Sequence, residues 1–163
     1  MAQLSTQYRS VRAGYLSPLA KVVNIASGQD LSPGMVGSLN ASGELIAGLS
    51  STQAMPLWLL RDPNLPSIAE STGNREYAFA GGAVEVLVGE GGYEIETDQY
   101  VDGTYNYNDA LTAASGDDAG KVAVGTIGSD PIVGVVSAPP AANMYGQTVL
   151  TLWTTFLPVA SGG

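Results

Sequence analysis

The chain contains no cysteine and no histidine in 163 residues. Without cysteine there is no disulfide framework, no thiolate nucleophile and no thiolate-bound metal. Without histidine the commonest general base and the commonest transition-metal ligand are missing, so Ser-His-Asp and Cys-His catalysis are excluded within the chain. Charge is also scarce. Only 13% of residues are charged, against about 25% in an average soluble protein. So little charge among so many small residues implies that part of the surface faces something other than free water. Positive charge is scarcest of all, with six Lys and Arg against fifteen Asp and Glu and a net charge of −9.

That imbalance is uneven along the chain. Arg9, Arg12 and Lys21 fall in the first 23 residues, where there is no acid, whereas beyond residue 75 Lys121 is the one cation among eleven acids. An acidic body repels a phosphate backbone, so nucleic acid is not an expected partner. No unbroken apolar run is long enough to span a membrane. The most apolar stretch, Lys121–Ala142, is interrupted by Asp130, Pro131, Pro139 and Pro140. No apolar segment follows the cationic N-terminus, so no secretion signal is expected and synthesis in the cytoplasm is.

Glycine and proline are plentiful, at 21 and 9 residues. They punctuate the chain into short strands and turns. Residues 1–23 show no regular period and read as an extended N-terminal arm ahead of a β-rich domain over 24–163. Ser32-Pro33-Gly34 is a turn. Met35–Leu39 and Glu44–Ala47 read as strands about the Asn40–Gly43 turn, and Met55–Leu60 as a strand with Pro56 at its start. Residues 61–76 read as a loop or short helix. Ala83–Val101 reads as a hairpin. Its second strand alternates apolar and acidic residues, and Gly89–Gly92 forms its turn. Asn108–Ala114 is expected to make one or two helical turns, and Val122–Val124 and Ile132–Val136 to be short strands. Thr148–Phe156 is apolar on both faces, which marks a central strand or an interface. The fold class is mainly β, as a small barrel or sandwich with short helices only.

Two segments share a plan. Leu39…Gly43-Glu44-Leu45-Ile46-Ala47-Gly48 followed by Pro56-Leu57-Trp58-Leu59 is echoed by Leu111…Gly120-Lys121-Val122-Ala123-Val124-Gly125 followed by Pro131-Ile132-Val133-Gly134-Val135. Each reads as a three-stranded meander that cannot bury its face alone, so two packed together make a plausible barrel. The run from Leu111 to Pro139, LTAASGDDAGKVAVGTIGSDPIVGVVSAP, resembles the pattern of tailed-bacteriophage head decoration (cement) proteins. The resemblance extends over about residues 105–158. It implies a non-catalytic virion protein without cofactor, located on the capsid surface. Its partners would be the major capsid protein and copies of itself, as a trimer, with an arm that orders on the shell.

The candidate contact residues are Arg9, Arg12, Tyr15 and Lys21 on the arm, the cluster Tyr93, Tyr100, Tyr105 and Tyr107, and Trp153. Tyrosine offers large area at low entropic cost and suits protein interfaces, and it suits sugars equally. Trp58 and Trp153 each stand in an apolar strand, where core packing is the default. A carbohydrate-binding β-sandwich using residues 98–109 therefore stays open, as does a head-fibre base or tail component. Enzymatic chemistry would need carboxylates. Glu94 and Glu96 lie two apart on a strand, within glycosidase range, but a solvated hairpin face explains them more simply. Asp117 with Asp118, or Asp98 with Asp102, offer hard oxygen ligands for calcium without any recognised spacing. No metal site or catalytic residue is assigned.

Overall fold

The computed structural model describes residues 20–29, 31–61, 83–88, 91–143 and 146–159. The mainly β class is what the structure shows. Among the described residues, ten strands form two five-stranded antiparallel sheets. The first sheet contains β1 (Ala20–Asn24), β2 (Val36–Leu39), β3 (Leu45–Ala47), β4 (Leu57–Arg61) and β5 (Ala83–Val88). The second contains β6 (Gly91–Thr97), β7 (Ala110–Ala113), β8 (Val122–Val124), β9 (Ile132–Ala142) and β10 (Thr148–Leu157). Strand β1 takes in residues 20–23, the last of the stretch read as an arm. Residues 1–19 and 62–76 lie outside the described residues, and Arg61, the first residue of the expected 61–76 loop or helix, ends β4.

The spatial orders are β1-β5-β4-β2-β3 and β6-β10-β9-β7-β8. Counted along each half, these are one order: first, fifth, fourth, second, third. Each sheet also curls until its edges meet. Ile25 bridges Leu45 in parallel just past β1, and Tyr100 bridges Val122 just past β6. The N–H groups of Ala26 and Val101 seal the two closures by donating to the carbonyls of Leu45 and Val122, at 3.0 and 2.9 Å. Each half is therefore a small closed barrel of its own, where the sequence suggested one barrel shared by the two units, and few strand edges among the described residues are left unpaired.

The repeat extends to single hydrogen bonds. Gly34 N–H donates to the Leu59 carbonyl, and Asn108 N–H to that of Val136. Leu59 N–H donates to Met35, and Val136 N–H to Asp109. Gly48 N–H donates to Val36, and Gly125 N–H to Ala110. Asn108 holds φ at +68°, the one positive value among the described non-glycine residues, because it occupies the place of Gly34, whose φ is +85°. Asparagine tolerates this left-handed conformation better than most residues.

Four expectations are corrected. The three-stranded units are not meanders, because β4 and β9 pair with the far sides of β2 and β7 rather than with β3 and β8. The repeat matches Gly43–Gly48 to Gly120–Gly125, but Leu39 answers to Ala113 and Pro56 to Val133, two residues off the sequence pairing. Strands β5 and β6 are no hairpin: they belong to different barrels, and β5 pairs with β1 and β4 while β6 pairs with β10. Asn108–Ala114 is not helical. The Asn106–Asp109 turn throws the chain directly into β7, and the described residues contain one short 3-10 turn, Gly116–Asp118.

Period two sorts the side chains. In β4, Leu57 and Leu59 point into the first barrel and Trp58 points out. The first barrel's interior gathers Val23, Ile25, Leu31, Leu45, Leu57, Leu59 and Val86. The second gathers Ile95, Tyr105, Leu111, Val122, Val136, Leu150 and Leu152. At one cross-strand position, glycine and leucine exchange places between the barrels. Gly37 faces Leu57 in the first, and Leu111 faces Gly134 in the second. A β-carbon at either glycine would be crowded by other neighbours: the Ile46 carbonyl and Leu45 at Gly37, and Leu152 and the Trp153 carbonyl at Gly134. Strand β10 lies between β6 and β9, as its two apolar faces imply. Pro139 and Pro140 fall where β9 has run past β7 and pairs with β10 alone, so their missing N–H groups break no ladder on the open side.

Candidate functional site

The two barrels meet through an outer row of the first. Val36, Trp58 and Leu87 stand side by side across β2, β4 and β5. All three point away from their own barrel and are buried among the interior residues of the second. Each contributes about 1.5–3 kcal/mol of apolar burial. Polar contacts fix the fit. Val36 N–H donates to the Gly120 carbonyl at 2.8 Å, and Thr97 Oγ1 donates to the Gly34 carbonyl at 2.8 Å. Gly48 and Gly120 allow the backbones to close in, with the β-carbon positions facing Ala114, Ala119 and Ala47. Trp58 is 1% exposed, and its indole N–H has no hydrogen-bond partner.

The second barrel carries the same row. Ala110, Val135 and Trp153 stand side by side across β7, β9 and β10, at the positions of Val36, Trp58 and Leu87. Here the row is open. Trp153 is 42% exposed, whereas Leu87 is fully buried, and Ala110 and Val135 are half-buried. Strand β6 adds Glu94 beside Trp153, and the Glu94 carboxylate accepts a hydrogen bond from Ser137 Oγ. The end of the first barrel carries a cavity of about 350 Å³, lined by Val23, Leu39, Leu57, Val88, Met55, Ala54 and two serines.

The tyrosine cluster does not form one surface. Tyr105 is 5% exposed, part of the second barrel's core, and is removed from the contact candidates. Its hydroxyl donates to the Val101 carbonyl at 2.6 Å and lies 3.2 Å from that of Val122, pinning the barrel's closure. Tyr100 packs edge-on against it, with ring centroids 5.6 Å apart. Burial raises both phenol pKa values, and Asp102 pushes each the same way. Tyr93 is half-buried against the core, and Tyr107 stands free at 66% exposure. Lys21 lies in β1 opposite Val86. Arg9, Arg12 and Tyr15 fall outside the described residues. Trp58 is core, as read, but Trp153 is not.

The carboxylates are engaged locally. Glu96 is buried, so the solvated-face explanation fails for it. Asp118 pairs with Lys121 at 2.6 Å, closing the 3-10 turn. Asp109 accepts from the Asn106 N–H at 2.7 Å. Among the described residues no three acid side chains gather in a way that would hold a metal ion.

The chain matches no family model and no curated protein sequence. Of the open row, the sequence points to Trp153 alone; Ala110 and Val135 carry no local signal that would single them out. Aligning the two halves by structure finds all three at once.

Proposed function

We propose that the chain is a non-catalytic structural protein of a virus particle, a decoration protein that seats on the outside of an assembled tailed-phage capsid and stabilises it. The observation that supports an assembly role is the open row Ala110–Val135–Trp153, an apolar surface whose counterpart in the same chain is an interface. The virion assignment rests on the resemblance carried by Leu111–Pro139, which spans β7, β8 and most of β9. The partners are the major capsid protein and further copies of the chain. The carbohydrate alternative finds less support, because in its suggested segment the Tyr105 hydroxyl donates to the Val101 carbonyl and the Asp109 carboxylate accepts from both the N–H and the side-chain amide of Asn106.

A protein that binds the assembled shell and not its free subunits stabilises the shell by mass action, by about 2.7 kcal/mol per site at a hundredfold excess over Kd. Linked copies add avidity. The test is to mix purified protein with phage heads stripped of minor proteins. Binding that saturates at a fixed copy number and raises the temperature at which heads release DNA supports the reading. Protein left wholly unbound at micromolar concentration refutes it, and binding to tails alone moves the chain to a tail or fibre-base role.

A further inference from the structure

The duplication uses one junction inside the chain and leaves both halves of a second one unpaired. Inside the chain, the outer row of the first barrel is covered by the end of the second that carries Thr97, Ala113 and Gly120. By strand register, Val23 and Leu39 are the first barrel's counterparts of Thr97 and Ala113. At that end the first barrel is open, with the apolar cavity lined by Val23, Leu39, Leu57 and Val88 and with Met55 exposed on its rim. The second barrel, for its part, leaves the row Ala110–Val135–Trp153 open among the described residues, with Trp153 exposed and its two neighbours half-buried. A row of this kind and a barrel end of this kind already fit each other once.

We propose that a second copy of this chain completes the pair. The Ala110–Val135–Trp153 row of one copy seats on the Val23–Leu39–Leu57–Val88 cavity of the next, repeating between chains the step that joins the barrels within one. The two surfaces are different, so the contact is heterologous. Each copy gives a row to one neighbour and an end to another, and the series closes into a ring when the turn per step divides a full circle. Trp153 is the anchor, a large aromatic entering an apolar recess, which is where interface energy concentrates. The second copy is the favoured occupant because the chain itself shows what covers such a row. This inference rests on the assembly role proposed above, but not on the capsid.

Sedimentation equilibrium on the full chain tests it, with Trp153→Glu and Met55→Glu as probes. Both side chains are substantially exposed, so unfolding curves should match the parent protein. The parent is expected to associate, and each variant to weaken association by on the order of tenfold to a hundredfold. Mixed in equal amounts, the two variants should form a one-to-one dimer, because each retains the half that the other has lost. A parent chain that stays monomeric up to hundreds of micromolar overturns the proposal. So does Met55→Glu associating like the parent, or a mixture that fails to pair, as a row-on-row contact would require. Chains that associate head to tail yet ignore phage heads would uphold this contact and refute the virion reading.

Discussion

Adding a single methyl group at Gly37 tests the barrel geometry directly. A β-carbon there would lie 2.6 Å from the Ile46 carbonyl oxygen and 2.9 Å from Leu45 Cδ1, with Leu59 Cδ1 at 3.4 Å. Real β-carbons keep at least 3.0 Å from such atoms. The oxygen belongs to the backbone of β3, which is paired to β2 through Ser38 and Ile46, so it cannot swing aside as a side-chain tip can. Strands β2 and β3 must part by several tenths of an ångström. Overpacking of this kind costs about 1–3 kcal/mol. Alanine recovers about 0.5–1 kcal/mol of the backbone entropy that glycine loses in a strand. The expected net loss for Gly37→Ala is about 1–2 kcal/mol, or roughly 2–8 °C in Tm for a chain of this length. Guanidinium unfolding followed by tryptophan fluorescence measures it, since Trp58 reports on the junction of the barrels. Gly103→Ala is the control: its nearest neighbours would lie at 3.9 Å, so it should change stability by less than about 0.5 kcal/mol. Equal effects at the two positions, or a stabilised Gly37→Ala, would refute the packing argument.

Asn108→Gly should be neutral or stabilising by up to about 1 kcal/mol, whereas Asn108→Val should cost about 1–2 kcal/mol, both read from denaturant midpoints. Tyr105→Phe removes a buried hydroxyl from the Val101 and Val122 carbonyls, and should lower stability by about 1–2 kcal/mol with the fold retained by circular dichroism. The raised phenol pKa values of Tyr100 and Tyr105 mean that the folded chain holds these protons more tightly than the unfolded chain. Their contribution to stability is complete below the ordinary tyrosine value of about 10 and is lost as pH climbs from there through the raised values. Melting temperature against pH should therefore fall in that window, and the fall should shrink in Tyr105→Phe. At −9 per copy, association between chains should strengthen as salt rises from about 0.01 to 0.3 M, because screening relieves repulsion while apolar contact persists.

Local signals carried much of the fold. Turns, apolar runs and alternation give β2–β6, β8 and β10 to within two residues, whereas β1 falls in the expected arm, β7 in an expected helix, and β9 runs six residues past Val136; two-sided apolarity marks β10 as central or at an interface. The matched runs Gly43–Gly48 and Gly120–Gly125 exposed the repeat. Partnership was illegible wherever it is set at long range. Strands β5 and β6 are two residues apart, yet β5 pairs with β1, about sixty residues earlier, because the order first-fifth-fourth-second-third brings the ends of each half together. Asn108 suggested a helix start because its left-handed role shows only beside Gly34. For the site, composition could flag Tyr105 as an interface residue but not that its hydroxyl locks the barrel closure. Val135 and Ala110 are small, ordinary strand residues, and their exposure follows from which barrel covers which.

The strand order also dictates a sequence of events during synthesis. The first barrel can close only when β5 emerges, because β1 waits for it, and closure by such distant pairing is slow. It is then complete at Val88 while the second barrel is still being made, at about 5–20 residues per second. For those seconds Val36, Trp58 and Leu87 are bare. The nascent first barrel is a sticky intermediate whose proper cover is its own unfinished second half. On crowded polysomes, the second barrel of an earlier chain can take that place, and the result is a domain-swapped pair held by native contacts. Slowing translation after Val88 should raise the yield of such swapped dimers, and co-expressing the second half should suppress them.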